Sequence, residues 1–302
     1  MASIREIKRR IKSVKNISQV TRAMQMVAAS RMRRAQERAL SSRPYAAKAW
    51  EILTHLAVQT GNTEQLHPLL SNRAEIRNIA IILITADKGL AGAYNSNIIR
   101  KTSQFMRDSD HTEAGLITVG RKGRDFMIRF QRKVAAEFAD LPPLPSSLDI
   151  APITRLVLDG FLSGEYDEVY LAYTDFINTL VQDPTVRLLL PIRPGDIESK
   201  VMSEYLSSEG PTKTVEYLYE PNPAVLLDTL LPRFTELQIY QAVLEARASE
   251  ESARMVAMRN ATDNAKELID DLTLTYNKVR QGAITKEMLD IAGGAEALAK
   301  AS

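Results

Sequence analysis

Cysteine is absent from all 302 residues. No disulfide framework, thiolate metal site, thiol switch or cysteine nucleophile can therefore operate, which suits a reducing compartment. Long hydrophobic runs are also missing. The longest, Ile79 to Ile84, falls far short of the roughly 20 residues that span a bilayer, so membrane association has to pass through partners. The N-terminus starts charged, with no secretory apolar stretch; although Arg-rich, it carries Glu6 inside a helical periodicity, which argues against a cleaved transit peptide. Charge of one sign is not in excess: 39 basic residues against 37 acidic ones leave +2, and overall charge selects neither nucleic acid nor an anionic membrane. Histidine is scarce. His55, His67 and His111 lack metal-ligand spacing and support no catalytic triad, so ordinary structural or surface roles are expected.

What is present is helical periodicity at both ends. From Ile4 the residues Ile7, Ile11, Val14, Ile17, Val20, Met24 and Val27 recur every three or four positions behind Ser3, an N-cap candidate. The pattern continues through Met32, Ala35 and Ala39 to Pro44, which either kinks the helix or begins another. At the far end, after Pro221-Asn222-Pro223, a second long helix is expected to Gln281, with Pro232 as its interior breaker. Leu237, Leu244, Ala248, Met255, Met258, Ala265, Ile269, Leu272, Tyr276 and Val279 give it coiled-coil spacing. A helix of roughly 55 residues is about 80 Å long, much longer than a compact domain is wide. Each terminal helix needs a long partner, and the two supply each other.

Between them the pattern changes. Ile79-Ala80-Ile81-Ile82-Leu83-Ile84-Thr85 reads as a buried central parallel strand. A helix over Asn97 to Arg107, a strand Leu116 to Val119, a helix from Arg121, a helix over Ile153 to Leu162 and a strand Val169 to Tyr173 come next, with a last strand possible at Thr214 to Tyr219. The alternation predicts a three-layer, Rossmann-like α/β domain with right-handed crossovers. The expected organisation is a coiled-coil helix in 1–74, an inserted α/β domain in 75–220, and a second coiled-coil helix with a tip in 221–302.

Candidate chemistry is thin. Thr85 to Asn95 follows a strand and precedes a helix, where an α/β domain would hold phosphate. It has neither a P-loop ending nor G-x-G-x-x-G spacing, and a tight turn in which glycine relieves strain is the expected reading. Glu250-Glu251 and Asp270-Asp271 are helix neighbours pointing apart, not acid/base pairs. Met24, Met26, Met32, Met255 and Met258 suit core or interface filling. Arg5, Lys8, Arg9, Arg10, Lys12, Lys15, Arg22, Arg31, Arg33, Arg34 and Arg38 make the first helix a basic rod. They either balance Glu245, Glu250, Glu251, Glu267, Asp270 and Asp271 on the opposite helix or seat the rod against acidic protein surfaces. Without interleaved aromatics or a groove-reading motif, nucleic acid is the weaker partner.

The segment Ile284-Thr285-Lys286-Glu287-Met288-Leu289-Asp290-Ile291-Ala292-Gly293-Gly294-Ala295-Glu296-Ala297 resembles the signature of F-type ATP synthase gamma subunits. The resemblance extends to Ile11 to Asn16 and Thr21 to Ser30, to Asp87-Lys88-Gly89-Leu90 with Gly92, and to Ala253 to Met258 with Ala261 to Asn264. It implies an antiparallel coiled coil of the terminal helices around the inserted domain, the first helix continuing despite Pro44, acting as the central-stalk rotor. The implied partners are the alpha and beta subunits in a 3:3 ring, the epsilon subunit and the membrane c-ring, with one copy of this chain per complex. It implies no catalytic site and no cofactor or metal, catalysis lying in the beta subunits. Membrane association is then peripheral and indirect, at the cytoplasmic face of a bacterial cell membrane. Positions resembling contacts with the ring are Met24, Arg280, Gln281, Thr285, Glu287 and Asp290. Ala91 stands where many members have cysteine, and no cysteine-bearing insert is present, so thiol regulation is not expected. The competing readings are a nucleotide-using α/β enzyme and a basic coiled-coil scaffold for nucleic acid.

Overall fold

The computed structural model describes residues 3–60, 67–73, 75–108, 113–193 and 223–301. Two compact units emerge, one of Met1–Ala28 with Arg254–Ser302 and one of Ala29–Ala253. Two long helices, α1 (Ile4–Thr60) and α5 (Pro223–Ala301), contribute to both. The expected strand at Thr214 to Tyr219 lies outside the described residues, as does His111.

Residues 29–253 build a five-stranded sheet from β1 (Asn78–Ile84), β2 (Glu113–Val119), β3 (Val134–Phe138), β4 (Glu168–Phe176) and β5 (Gln182–Leu190), in the order β3-β2-β1-β4-β5. The first four run parallel and β5 pairs antiparallel with β4. Central β1 is apolar from Ile79 onward because it is covered twice. Ile79, Ile81 and Leu83 pack with Ile98 and Ile99 of α2 (Tyr94–Asp108) and Met127 of α3 (Arg121–Arg129). Ala80, Ile82 and Ile84 face Ile153, Val157 and Phe161 of α4 (Ser147–Ser163) and Leu231, Phe234, Ile239 and Val243 of α5. Right-handed crossovers account for this distribution. The chain moves outward from β1 to β3, then reverses past β1 to β4, so the helix of the reversed connection lands on the opposite face.

Two strands escape the sequence reading. Edge strand β3 alternates only weakly, half-buried with exposed. β5 contains Pro184, which normally signals a break; it is tolerated because β5 is an edge strand that need not donate on its outer side. Three helices also contain prolines. α4 begins at Ser147, before Pro152, where the Ser146 amide and hydroxyl both donate to Asp149 Oδ2 at 2.7 and 2.8 Å; it ends at Gly164 in the left-handed conformation, φ 79°. Pro44 and Pro232 lie inside uninterrupted helices. α5 also runs past Gln281 to Ala301, through Gly282 and Gly293.

Residues 3–28 and 254–301 form the second unit, a coiled coil. The buried or half-buried positions of α1 include Ile7, Ile11, Val14, Ser18, Thr21, Gln25 and Ala28, a series alternating by four and three as a heptad seam requires. α5 answers with Met258, Thr262, Ala265, Ile269, Leu272, Tyr276 and Val279 on the same spacing. The Thr21 and Thr262 hydroxyls meet at 2.7 Å, buried. In the other unit Arg31 reaches Glu251 at 3.6 Å. Within that unit His67, past the end of α1, lies 3.3 Å from Asp228 of α5, so rising numbers on one side meet falling numbers on the other and the pair is antiparallel.

Candidate functional site

In a doubly wound sheet the ligand crevice opens at the carboxyl ends of the strands where strand order reverses, here between β1 and β4. The loop after β1 lies there and on its other side meets the start of α3, past the end of β2. The first amides of α3, which would otherwise attract an anion, are all taken. Arg121 N donates to Asp87 Oδ1 (3.1 Å), Lys122 N to Ala86 O (3.1 Å) and Gly123 N to Thr85 Oγ1 (2.9 Å). Ala86 N donates to Asn95 Oδ1 at 2.9 Å. Asp87 thus stands where a phosphate would, its negative charge set against the helix dipole. Within this loop positive φ falls on Leu90 (66°) and Gly92 (54°), so of its two glycines Gly92 takes the left-handed turn conformation.

Helix α5 closes the crevice. Ala253 packs on Ala86, Ala91 and Tyr94, and Ser252 Oγ donates to Thr179 O at 2.9 Å. Arg247 donates to Leu141 O at 3.2 Å and to Glu250 Oε2 at 2.9 Å, and lies 3.7 Å from Asp87 Oδ2. Burial alone would lower the Arg247 pKa, but Glu250, Tyr94 and Asp87 hold it above its ordinary value.

Two residues earlier, Glu245 is 6% exposed and accepts from Gln241 Nε2 at 3.1 Å. It lies beside Tyr173 and Asp175 of β4; Asp175 accepts from Arg187 of β5 at 3.1 Å. Burial, then the neighbouring Asp175 carboxylate, push the Glu245 carboxyl up to about 7. A carboxyl raised on folding stabilises fully below its unfolded value and loses that contribution as pH rises through the folded value. The Ala29–Ala253 unit is therefore expected to melt several degrees lower at pH 8.5 than at pH 5.5 through this group. Glu245→Gln, which keeps an uncharged partner for Asp175, should flatten that dependence. Thermal melts at the two pH values check this, and equal slopes in both proteins would refute it.

Other charges divide between the sequence expectations. Arg31 meets Glu251 as a balancing pair, whereas Glu245 and Glu250 are turned into the α/β unit. Buried His67 is structural: its Nδ1 accepts Leu69 N at 3.0 Å at the head of a short turn, and its Nε2 lies 3.3 Å from Asp228. Among the described residues no group of His, Asp and Glu is placed to hold a metal.

The coiled-coil unit offers surface of a different kind. Its seam leaves out part of the apolar pattern expected to be buried: Ile17, Val20 and Val27 are 53%, 58% and 50% exposed, while polar Ser18, Thr21 and Gln25 lie in or near the seam. A heptad seam takes only two positions in seven, and the extra apolar residues form a second band with half-buried Met24. The signal was in the sequence, since α1 carries more periodic apolar residues than one seam can bury. On α5 the buried pattern stops at Val279. The antiparallel register brings Ile4 opposite this position, so among the described residues α1 offers nothing further to cover the rest of α5. Arg280, Gln281, Thr285, Glu287 and Asp290 are all exposed there, interspersed with Ile284, Met288, Leu289 and Ile291 at 49–68% exposure. The structure thus places five of the six predicted contact residues on the unpaired stretch and Met24 beside the exposed band.

The family model described as ATP synthase matches residues 3–298. The ATP synthase gamma chain of Dehalococcoides mccartyi is 50% identical over 299 residues, covering 99% of this chain and 100% of that protein. That of Roseiflexus castenholzii is 50% identical over 305 residues, with the same coverage. Among solved structures, a chain of the central stalk and c-ring of Tetrahymena thermophila mitochondrial ATP synthase superposes with TM-score 0.58 at 26% identity, covering 80% of this chain and 99% of its own. A chain of Euglena gracilis mitochondrial ATP synthase gives TM-score 0.64 at 19% identity, covering 98% and 94% respectively, a likeness of fold. Matched nearly end to end, this chain belongs to the ATP synthase gamma chain family.

Proposed function

We propose that this chain is the central-stalk rotor of an F-type ATP synthase, carrying rotation of the membrane c-ring to the ring of alpha and beta subunits and so coupling proton flow to ATP synthesis or hydrolysis. The observation that carries this reading is the coiled coil with apolar residues left outside its seam and a C-terminal stretch that outruns its partner helix. Such exposed apolar positions suit an enclosing protein surface. A rod that presents a different face to each of three equal sites can hold them in different states, and turning it reassigns those states. Met24, Arg280, Gln281, Thr285, Glu287 and Asp290 are assigned to contacts with that ring. Ala292, Gly293 and Ala295 keep the far end smooth, since small side chains interlock little.

Epsilon and the c-ring are the partners of the inserted α/β domain, and one copy serves each complex. We assign 1–74 and 221–302 to the shaft and 75–220 to the domain between them. No described helix is long and apolar enough to cross a membrane; the chain is a peripheral subunit of the membrane complex, placed by this reading at the cytoplasmic face of a bacterial cell membrane. Catalysis lies in the beta subunits. Nothing in the relatives points to a nucleotide enzyme or a nucleic-acid scaffold, and α5 fills the crevice the former would use.

Deleting the chain beyond Val279 should leave the α/β unit melting as in the full protein while proton pumping per ATP hydrolysed by the assembled complex falls severalfold. Full coupling in that truncation would remove the role given to the tip. Failure of the full chain to copurify with alpha, beta and epsilon subunits would remove the reading altogether.

A further inference from the structure

We propose that Arg247 is the positioning residue through which turning force on the α/β unit enters helix α5; the inference rests on the rotor reading. Along Leu231, Ile239, Val243 and Ala246 the helix meets the sheet through apolar contacts, which are non-directional and resist separation far better than sliding. Resistance to a turning force needs contacts with direction. Ser252, to Thr179 O, and Glu245, beside Asp175, each give one; the Arg247 guanidinium gives several at once, because its planar fork fixes both distance and angle.

Its partners are what make it a junction. Nη2 donates to Leu141 O, beyond β3, at 3.2 Å and lies 3.7 Å from Asp87 Oδ2, beyond β1. Nη1 donates to Glu250 Oε2 at 2.9 Å, one turn along α5, which holds the fork in orientation. The other oxygen of Asp87 accepts Arg121 N at 3.1 Å and Asp140 N at 3.3 Å. One side chain of α5 is thereby tied to a carboxylate that also gathers the start of α3 and the segment after β3. All these residues belong to the Ala29–Ala253 unit.

The test uses the whole complex in phospholipid vesicles, with ATP hydrolysis and proton pumping measured together. Arg247→Leu keeps the apolar stem and removes the fork. The expected result is a pumping-to-hydrolysis ratio about threefold or more below wild type with hydrolysis retained, and a ratio between the two for Arg247→Lys, which keeps charge without the fork. An unchanged ratio in Arg247→Leu, or parallel loss of both activities, overturns the proposal. Should Arg247→Leu not assemble, an unchanged ratio in Arg247→Lys overturns it instead. Absence of coupled pumping in the wild-type complex would sink the rotor reading itself, a distinct outcome.

Discussion

Gly120→Ala is expected to destabilise the α/β unit by about 3–5 kcal/mol, lowering its melting temperature by roughly 10 °C. Gly120 has φ 101°, which a residue with a Cβ rarely adopts, and the added atom would stand 2.2 Å from the Thr85 carbonyl oxygen. That neighbour is backbone and cannot swing aside. Thr85 N donates to Val119 O at 2.8 Å and Gly120 N to Phe138 O at 2.8 Å, so relief of the clash has to displace the ends of three strands together. The control is Gly89→Ala: nothing lies within 4 Å of its added Cβ and its φ lies outside the positive region, so a change below about 0.5 kcal/mol is expected. Urea unfolding of both variants checks the contrast, and comparable losses would show that the close approach at Gly120 is not what constrains it.

Phe161→Ala should cost a similar amount, about 3–5 kcal/mol. Phe161 is 1% exposed and belongs to the cluster that joins α4 to the sheet and to α5. Its ring also lies under the Arg73 guanidinium, 5.5 Å from the centroid, while its carbonyl accepts Arg73 Nη2 at 2.9 Å. Truncation leaves a cavity bounded by sheet and helix, which collapse little, and strips the cation of its ring. Leu162, the next residue, is 51% exposed, and its replacement by alanine should cost less than about 1 kcal/mol. Equal midpoints for the two variants would contradict the assignment of α4 to the core.

The central strand was legible because burial on both faces forces six consecutive apolar residues from Ile79, and the long helices because their periodicity outlasts any compact domain. Where prolines stood, the reading failed for definable reasons. Pro184 sits on an edge strand, where the missing donor matters least, and Pro152, the sixth residue of α4, forgoes only the bond to the carbonyl of Leu148, an exposed residue. The loop at Asp87 was found as a candidate, but its resolution depended on Arg121, Gly123 and Arg247, distant in sequence and brought together by the crossovers. No local pattern reports that. The α1 seam was legible in period and not in phase, since Ile17 and Val20 keep the same spacing as Ile7 and Ile11 and only the pairing with Thr262 shows which set faces inward.

The spacing of that seam also gives the shaft a handedness. A straight helix drifts about 20° per heptad from a strict seven-residue repeat, so the run from Ile7 to Ala28 winds α1 and α5 into a left-handed supercoil. Twisting one way tightens the winding and presses the seam together, while twisting the other way unwinds it. A shaft of this construction has unequal torsional compliance in the two directions, so the sense in which the motor turns sets how much elastic energy the coil holds between steps.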